Sequence, residues 1–382
     1  MSILNVNDPQ PLGGGEEEIE CCPLHGDVLE IALSRVPFLD LLPASRVSHS
    51  WHRAVSSSLL HLSPAKPWLL LHPSSSRSPT LAYDPRSHLW MHLPSSAPLS
   101  PVRSSHPRIL YSLTPSSLSF SQDPFNLSWH RLSPPKVWRV DPVVALVGSR
   151  VVVAGGTCDF EDDPLAVEVL DVNSAKWTSC GSMPALLKGS SSAMWLSVTA
   201  DDDRMYVAER SSGRTYTYRP EAGEWSGPHD LRTAPDVFQV ALGCVEGGTM
   251  AVVGLIGEAE EVRGVKLWEV QVDSWEMREI GEMENEMVEG LKDKSGCIWS
   301  IGVCGSRGTG YVYNPSGSEG VVRWETVIRC GGRGKVVKWE MARNAAGEAA
   351  VTGRIVWRCV DVGINELEKA AACGRNFMVA DG

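Results

Sequence analysis

Tryptophans recur along this chain at nearly constant intervals, and that period constrains the fold more than any other feature of the sequence. The recurring positions are Trp90, Trp129, Trp177, Trp225, Trp275 and Trp324. The steps between them are 39, 48, 48, 50 and 49 residues. A repeat of this length indicates supersecondary units that cannot bury both of their faces alone, so they must stack or close into a ring.

The text before each of the first five tryptophans has one physical interpretation. An alternating strand ends at Asp-Pro or an equivalent, a polar turn follows, and a new strand opens on Trp. The five stretches are "LAYDPRSHLW", "FSQDPFNLSW", "EVLDVNSAKW", "YTYRPEAGEW" and "KLWEVQVDSW". The sixth text, "YVYNPSGSEGVVRW", carries an insertion of four residues. Two further strand candidates, such as "SSAMWLSV" and "RMYVAE", lie between successive hairpins. Four strands per unit predict a β-propeller.

We expect the propeller to span 67–382. The predicted repeats are 67–94, 95–134, 137–184, 188–230, 235–283 and 286–328, with closing strands within 335–380. The first unit is short and begins at "PWLLLHP", so we expect the C-terminal strands to complete it and give six blades. A separate seventh blade is the alternative. We interpret the recurring tryptophans as packing between blades and not as a ligand cage.

The front of the chain is different, because "DVLEIALSRV" (27–36) predicts an amphipathic helix that ends before Pro37. One side of this helix carries Val28, Ile31, Ala32 and Arg35, and an adjacent side carries Leu29, Leu33 and Val36. Asp40 can cap a second helix, and Ser48 or Ser50 a third. Three short helices form a marginal domain, and an apolar excess in such a unit is typical of a partner surface.

The stretch "PLHGDVLEIALSRVPFLDLLPASRVSHSWHRAV" resembles an F-box. The matching positions are Leu24, Asp27, Val28, Leu29, Ile31, Leu33, Pro37, Leu41, Leu42, Val47 and Trp51, whereas His25 stands where the family usually has Pro. We place the F-box at 21–61, after a disordered tail at 1–20.

The F-box resemblance implies docking onto the Skp adaptor of a Skp–cullin–F-box ubiquitin ligase. The predicted adaptor-binding residues are Leu24, Val28, Leu29, Ile31, Leu33, Leu41, Val47 and Trp51. Some of them must instead form the core of the module, and the sequence does not divide the two groups. A helical cap on the following domain is the alternative.

The repeats also resemble kelch repeats, in which a Gly-Gly pair closes the second strand. Gly155 and Gly156, in "RVVVAGG", match this mark, whereas "VAERSSG" and "VVGLIGE" replace it in later units. Together the resemblances imply a small all-α F-box of three short helices followed by an all-β propeller of kelch-like blades. This is an arrangement that plants use widely.

The charge of the chain is unevenly distributed. The net charge is −11 overall, with +6 over 61–140 and −16 over 141–290, which argues against a general nucleic-acid binder. In a four-stranded blade, the connections after the second and fourth strands share one face. The acidic runs at 159–163, 258–261 and 282–289 are therefore expected on that face, together with the basic runs "SPVRSSHPR" and "PPKVWR", and "DDD" (201–203) on the opposite face.

A face with acidic and basic sectors can orient a partner by charge complementarity. The predicted substrate-binding residues are Glu161, Asp162, Asp163, Glu258, Glu260 and Glu261. Ordinary solvated loops are the alternative interpretation.

The sequence shows no pattern typical of catalysis. The ten cysteines contain no C-x-x-C pair, no pair among the ten histidines has metal-ligand spacing on a strand, and G-x-S-x-G, P-loop and dinucleotide motifs are missing. We therefore expect no metal, no cofactor and no catalytic residue. The N-terminus lacks a secretory pattern and no apolar run could span a bilayer, so we expect no membrane partner and a cytoplasmic or nuclear protein.

The combined prediction is a non-catalytic substrate receptor, in which the F-box binds the Skp adaptor and through it cullin, and the propeller binds the protein to be ubiquitinated. Two alternatives remain: a propeller scaffold with no ligase attached, and a propeller enzyme acting on a sugar or small metabolite. The sequence does not identify the client protein.

Overall fold

The computed structural model describes residues 26–62, 65–73, 79–93, 101–156, 163–317, 320–328, 335–345, 355–374 and 377–380. The predicted disordered tail (1–20) lies outside these residues, as do Leu24, Glu161 and Asp162.

Residues 26–62, the helical module, form three short α-helices, as the sequence predicts. They are α1 (Asp27–Leu33), α2 (Leu41–Ser45) and α3 (His49–Ser57), with a 3₁₀ turn at Phe38–Asp40 and a π-helical turn at Ser58–Leu62. Of the two serines proposed as the cap of α3, Ser48 takes the role: its Oγ accepts a hydrogen bond from the Trp51 amide at 3.3 Å. This satisfies one of the free amides of the first turn.

The rest of the chain forms a six-bladed, all-antiparallel β-propeller, which confirms the predicted fold class and blade number. From the centre outward, blade one contains β23 (Ile355–Val360), β1 (Trp68–Pro73), β2 (Thr80–Asp84), β3 (Leu89–Leu93) and β24 (Met378–Val379). Blade two contains β4 (Leu110–Thr114), β5 (Ser117–Ser121) and β6 (His130–Leu132). Blade three contains β7 (Val143–Val147), β8 (Arg150–Ala154), β9 (Val167–Asp171) and β10 (Lys176–Cys180).

The remaining three blades each contain four strands. Blade four contains β11 (Leu196–Ala200), β12 (Met205–Glu209), β13 (Arg214–Arg219) and β14 (Glu224–Asp230). Blade five contains β15 (Val237–Glu246), β16 (Thr249–Gly257), β17 (Val262–Gln271) and β18 (Met277–Glu282). Blade six contains β19 (Gly302–Ser306), β20 (Thr309–Tyr313), β21 (Gly320–Ile328) and β22 (Lys335–Arg343). Two further helices are α4 (Asn285–Gly290) and α5 (Ile364–Ala372).

The two ends of the propeller sequence meet in blade one. Strand β23 pairs antiparallel with β1, with Trp68 opposite Val360 and Leu70 opposite Arg358. The C-terminal part of the chain thus supplies the innermost strand of the short first unit and closes the ring through backbone hydrogen bonds.

Blade two departs from the expected four strands. Its sheet has three strands, and the innermost place is taken by a segment whose Arg103 makes an isolated antiparallel bridge to Tyr111. Pro101 and Pro107 flank this bridge, and because proline has no amide to donate, it interrupts a ladder.

In blade six, Trp324 lies on a different strand from the one that the period predicts. The period predicts that Trp324 opens a fourth strand, but it lies in β21, the third strand, where a Cβ at Gly310 would be only 2.2 Å from its ring. In blade five, Trp268 lies on the third strand and its ring covers Gly254 on the second strand in the same way. The fourth strand is β22, which belongs to blade six although 335–380 was expected to hold closing strands.

The ring has two faces. We call the face with the second-to-third connections and the links between blades the loop face; among others it carries 163–166, 181–195, 258–261 and 283–301. The opposite face carries the tight turns, such as 148–149, 201–204 and 307–308, and we call it the hairpin face. The helical module lies at the hairpin face of blade one, because its cluster includes Trp68 at the start of β1 and Val360 at the end of β23.

Candidate interaction surfaces

The helical module shares one hydrophobic cluster with blade one and α5. The buried members of this cluster include Leu29, Leu33, Phe38, Leu41, Val55, Trp68, Met91 and Leu367. Phe38 meets the Trp68 ring edge-on, with the ring centroids 5.8 Å apart. The module therefore stabilises its small core against the propeller, which a unit of this size requires.

Polar contacts fix the same junction. Arg86, in the turn after β2, donates from Nη2 to the carbonyl oxygens of Leu33 at 2.9 Å and Ser34 at 2.7 Å. These carbonyls lie at the C-terminal end of α1, where backbone acceptors lack helical partners and a cation is favourable. Ser45 of α2 also donates to Glu368 of α5 at 3.3 Å.

The predicted adaptor-binding residues divide into an inward and an outward group. Leu29, Leu33 and Leu41 are 2%, 3% and 0% exposed, so they belong to the core. They are unavailable to a partner in this conformation, and they are members of the predicted set that form the core of the module.

The outward group consists of Val28, Ile31 and Val47, residues that are 59%, 48% and 61% exposed. Val28 and Ile31 are three residues apart and lie on the same side of α1. Trp51 is half-buried and packs against the shared cluster. Leu60 and Leu62, exposed by 72% and 49%, extend the apolar surface of the module. The sequence analysis missed this pair, because the π-helical turn that carries them breaks the α-helical period.

On the propeller, the acidic turn between β16 and β17 lies on the loop face, where the sequence analysis placed it. Glu258, Glu260 and Glu261 are all exposed. The turn is closed by reciprocal backbone hydrogen bonds between Glu258 and Glu261, at 3.3 and 3.0 Å. Its side chains are therefore free to face a partner on a defined backbone.

The carboxylate of Asp163, another predicted substrate-binding residue, makes contacts within the propeller. Its Oδ1 accepts a hydrogen bond from the Leu165 amide at 2.9 Å, and its Oδ2 accepts from Ser182 Oγ. Both carboxylate oxygens are engaged in holding the connection before β9, so this side chain stabilises the loop.

The basic runs form only part of the expected basic sector, because Lys136 is exposed but the arginine that follows it is not. Arg139, from "PPKVWR", is buried with Glu168 at 3.2 Å, and the two side chains are 0% and 1% exposed. Glu168 also accepts from the Lys136 and Val137 amides at 2.9 and 3.1 Å. The sequence analysis missed this buried pair, because Glu168 sits in an otherwise ordinary strand text.

The run "SPVRSSHPR" crosses from one face of the ring to the other. Arg103 pairs with Asp141 at 3.2 Å on the loop-face side, whereas Arg108 pairs with Asp202 at 2.9 Å on the hairpin face. The expectation that this run lies wholly beside the acidic loops is therefore wrong.

A polar cavity of about 720 Å³ opens at the hairpin-face mouth of the central channel. Its charged lining includes Arg108, Asp202, Arg307, Arg358 and Asp361. Arg358 is 1% exposed and donates to Pro107 O at 3.1 Å and to Asn126 Oδ1 at 2.8 Å, and burial lowers its pKa to about 10.

His106 closes one side of this cavity. Burial, with a smaller contribution from the positive charge of Arg108, lowers the pKa of His106 to about 3. The ring is therefore neutral at physiological pH. Within the described part of the chain, no three His, Cys, Asp or Glu side chains are grouped so that they could hold a metal ion. The described helices are also all too short or too polar to cross a bilayer.

Comparison with known proteins agrees with this architecture. Residues 23–63 match the F-box domain family. Over 386 aligned residues the chain is 36% identical to an F-box/kelch-repeat protein of Arabidopsis thaliana, and the alignment covers 95% of each protein. With the helical module at its front and six kelch-like blades behind it, the chain belongs to the F-box/kelch-repeat family.

Proposed function

We propose that this chain is the substrate-recognition subunit of a Skp–cullin–F-box ubiquitin ligase. The observation that carries the proposal is the apolar outer side of the helical module. Val28, Ile31 and Val47 remain exposed although the core of the module is already complete against blade one. Exposed apolar helical surfaces of this kind fit into a partner's groove and are stabilised there.

In this proposal the chain contributes proximity and makes no bonds. The helical module binds the Skp adaptor and through it cullin, and the propeller holds the client near the ubiquitin-charged enzyme. The module occupies the hairpin face and the unpaired acidic turn the loop face. Adaptor and client would therefore bind on opposite sides of the ring without competing for the same surface.

The test is co-purification of the full chain with a Skp adaptor. We expect capture by the wild type and loss of capture by the double variant Val28→Asp/Ile31→Asp, since two carboxylates would be desolvated in an apolar groove. Leu186→Asp is the matched control, because Leu186 is 61% exposed and lies on the loop face, opposite the module. Leu29→Asp serves as a folding reference, because it places a charge in the core.

Two results would contradict the proposal. Failure of the folded wild type to bind any Skp adaptor would remove the ligase assignment. Undiminished capture by Val28→Asp/Ile31→Asp would instead show that another surface contacts the adaptor. Thermal unfolding of each variant, followed by circular dichroism, separates lost binding from lost folding.

A non-ligase scaffold is the second candidate, and one observation favours it. The helical module is joined to blade one through a shared cluster and through Arg86, as a cap on the propeller would be. In that case the propeller would still bind its partner, while no variant of the module would change a ubiquitination readout.

A reducing cellular compartment, cytoplasm or nucleus, belongs to the same proposal. The described cysteines, at positions 180, 244, 297, 304, 359 and 373, are free thiols, as is typical of proteins in that environment. Imaging of a fluorescent fusion tests the location, and retention in the secretory pathway would contradict it.

A further inference from the structure

Three tryptophans differ from the rest in their exposure. The chain has 14 tryptophans, and the exposed ones are Trp138, Trp195 and Trp299, at 38%, 54% and 52%. All three lie on links from the outermost strand of one blade to the innermost strand of the next, so all three are on the loop face. Large apolar side chains that are exposed together on one surface usually mark a binding site.

The first two of these links are held together by a carboxylate. Asp141 Oδ2 accepts hydrogen bonds from Ser192 Oγ at 2.9 Å and from the Met194 amide at 3.2 Å. This joins the link that carries Trp138 and Val140 to the link that carries Trp195. Val140 and Met194 are themselves 53% and 61% exposed. Because they stand within two residues of Trp138 and Trp195, they extend the apolar surface around these tryptophans.

The second and third links are joined by Arg210. Its amide donates to the Trp195 carbonyl at 3.0 Å. Its guanidinium donates to Leu196 O at 3.2 Å and to Ile301 O at 2.8 Å. Gln239 completes the connection by donating to the Trp299 carbonyl at 3.1 Å. Backbone positions fixed in this way present the tryptophans with little ordering cost on binding.

The acidic turn lies directly beside this apolar surface. The Ile298 amide donates to the Ala259 carbonyl at 3.1 Å, which places the turn next to Trp299. Among the described residues, no Lys, Arg or His forms an ion pair with Glu258, Glu260 or Glu261. Three solvated carboxylates beside exposed indole rings favour a cationic partner, through both charge attraction and cation–π contact.

We propose that these features form the client-docking surface, and that its occupant is a basic protein segment with an aliphatic or aromatic side chain flanked by Lys or Arg. We call this surface the tryptophan rim; it consists of Trp138, Val140, Met194, Trp195 and Trp299 with the carboxylates of 258–261. The inference rests on the proposed function, since it identifies the client side of the same receptor. The apolar side chain packs among the indoles while the flanking cations meet the acidic turn.

The experiment uses a defined probe, a phage-displayed library of random 12-residue peptides selected on the full chain. Enriched peptides are synthesised, and their Kd is measured for the wild type and for Trp195→Ser, Trp299→Ser and the triple variant Glu258→Lys/Glu260→Lys/Glu261→Lys. The matched controls are Leu89→Ser, an exposed apolar residue of blade one, and Asp202→Lys/Asp203→Lys on the hairpin face. Unfolding midpoints of all variants are recorded in parallel.

We expect the enriched peptides to combine an apolar residue with Lys or Arg. Trp299→Ser should weaken their binding by about 30-fold, which corresponds to about 2 kcal/mol. The triple charge reversal should weaken it by about tenfold at low salt and less at high salt, because salt screens exposed charges. The two control variants should stay within about twofold of the wild type, since a surface away from the site contributes little.

Three outcomes would overturn the inference: selection of acidic peptides or of none, equal binding by the Trp→Ser variants, or self-association of the chain that Trp299→Ser abolishes in light scattering. Adaptor capture is measured on the same preparations. Peptide binding without adaptor capture would remove the ligase proposal and leave the tryptophan rim, whereas adaptor capture without selected peptides would do the reverse.

Discussion

The inter-blade ion pairs of the hairpin face and the acidic turn at 258–261 of the loop face use their carboxylates in different ways. On the hairpin face, arginines connect different blades: Arg108 to Asp202, Arg150 to Glu221, Arg204 to Asp273, and Arg307 to Asp361. On the loop face, the carboxylates of 258–261 project from a turn closed by its own backbone. The comparison teaches that acidic composition alone does not mark a binding surface, and that pairing decides which carboxylates are available.

The largest expected effect comes from the buried pair of Arg139 and Glu168, which lies beneath the loop face. Glu168→Ala leaves the Arg139 guanidinium buried without its carboxylate. We expect this to lower the free energy of unfolding by about 3–5 kcal/mol, measured by urea denaturation. Glu260→Ala, on the exposed turn, is the control and should change it by less than about 0.5 kcal/mol. Equal effects of the two changes would contradict the distinction between buried and exposed carboxylates.

The same division between inward and outward side chains can be tested within α1, at the hairpin face. Leu29→Ala opens a cavity in the cluster shared with blade one, so we expect a loss of about 2–5 kcal/mol in unfolding free energy. Val28→Ala removes an exposed side chain and should cost less than about 0.5 kcal/mol. A similar loss at both positions would mean that the module packs differently from the structure described here.

Acid should weaken the hairpin face through its buried histidine. The pKa of His106 is lowered from 6.5 to about 3, chiefly by burial. In the unfolded chain the ring binds a proton near pH 6.5, whereas in the native state it stays neutral down to about pH 3. Stability is therefore lost as the pH falls between these values, by about 2 kcal/mol at pH 5.

His106→Gln tests this linkage. Urea unfolding at pH 7.5 and pH 5 should show a pH-dependent loss about 2 kcal/mol smaller in the variant than in the wild type. The pKa of His72 is also lowered to about 3, by burial and by nearby Arg358. Its protonation should therefore cause a further loss of stability as the pH falls. An unchanged pH dependence in His106→Gln would contradict the burial of a neutral ring at this position.

The smallest expected effect concerns the exposed ion pairs between blades. Asp273 is 81% exposed and pairs with Arg204 at 2.8 Å. Asp273→Ala should lower the free energy of unfolding by at most about 1 kcal/mol, and less in high salt, because solvent and counter-ions screen such pairs. The measurement is the urea midpoint at two salt concentrations. A large, salt-independent loss would show that the hairpin face depends on these pairs far more than their exposure suggests.

The fold was largely predictable because its signals are local. The Trp-marked hairpin text predicted the third and fourth strands of the early blades, and the short first unit predicted the closure in blade one. The period failed at Trp324, because an Asn-Pro turn followed by Trp looks the same whether it joins the second and third strands or the third and fourth. Only its pairing opposite Gly310 distinguishes the two.

The candidate surfaces were less predictable, because side-chain availability depends on distant partners. Among the F-box positions, Val28 and Leu29 are adjacent in sequence, yet one is 59% and the other 2% exposed. What covers Leu29 is a cluster that includes Trp68 and Leu367, far along the chain. Arg139 likewise looked like a free cation until the fold buried it against Glu168.

The sequence by itself determined a helical module followed by a ring of repeated β units, since hydrophobic period and turn chemistry are read over a few residues. The tertiary structure alone decided which charged and aromatic side chains pack or pair within the ring and which face solvent. Trp138, Trp195 and Trp299 lie on one face because three links, the first and last of them 161 residues apart in the sequence, converge where the innermost strands begin. Long-range packing and pairing set that convergence, and no local pattern encodes it.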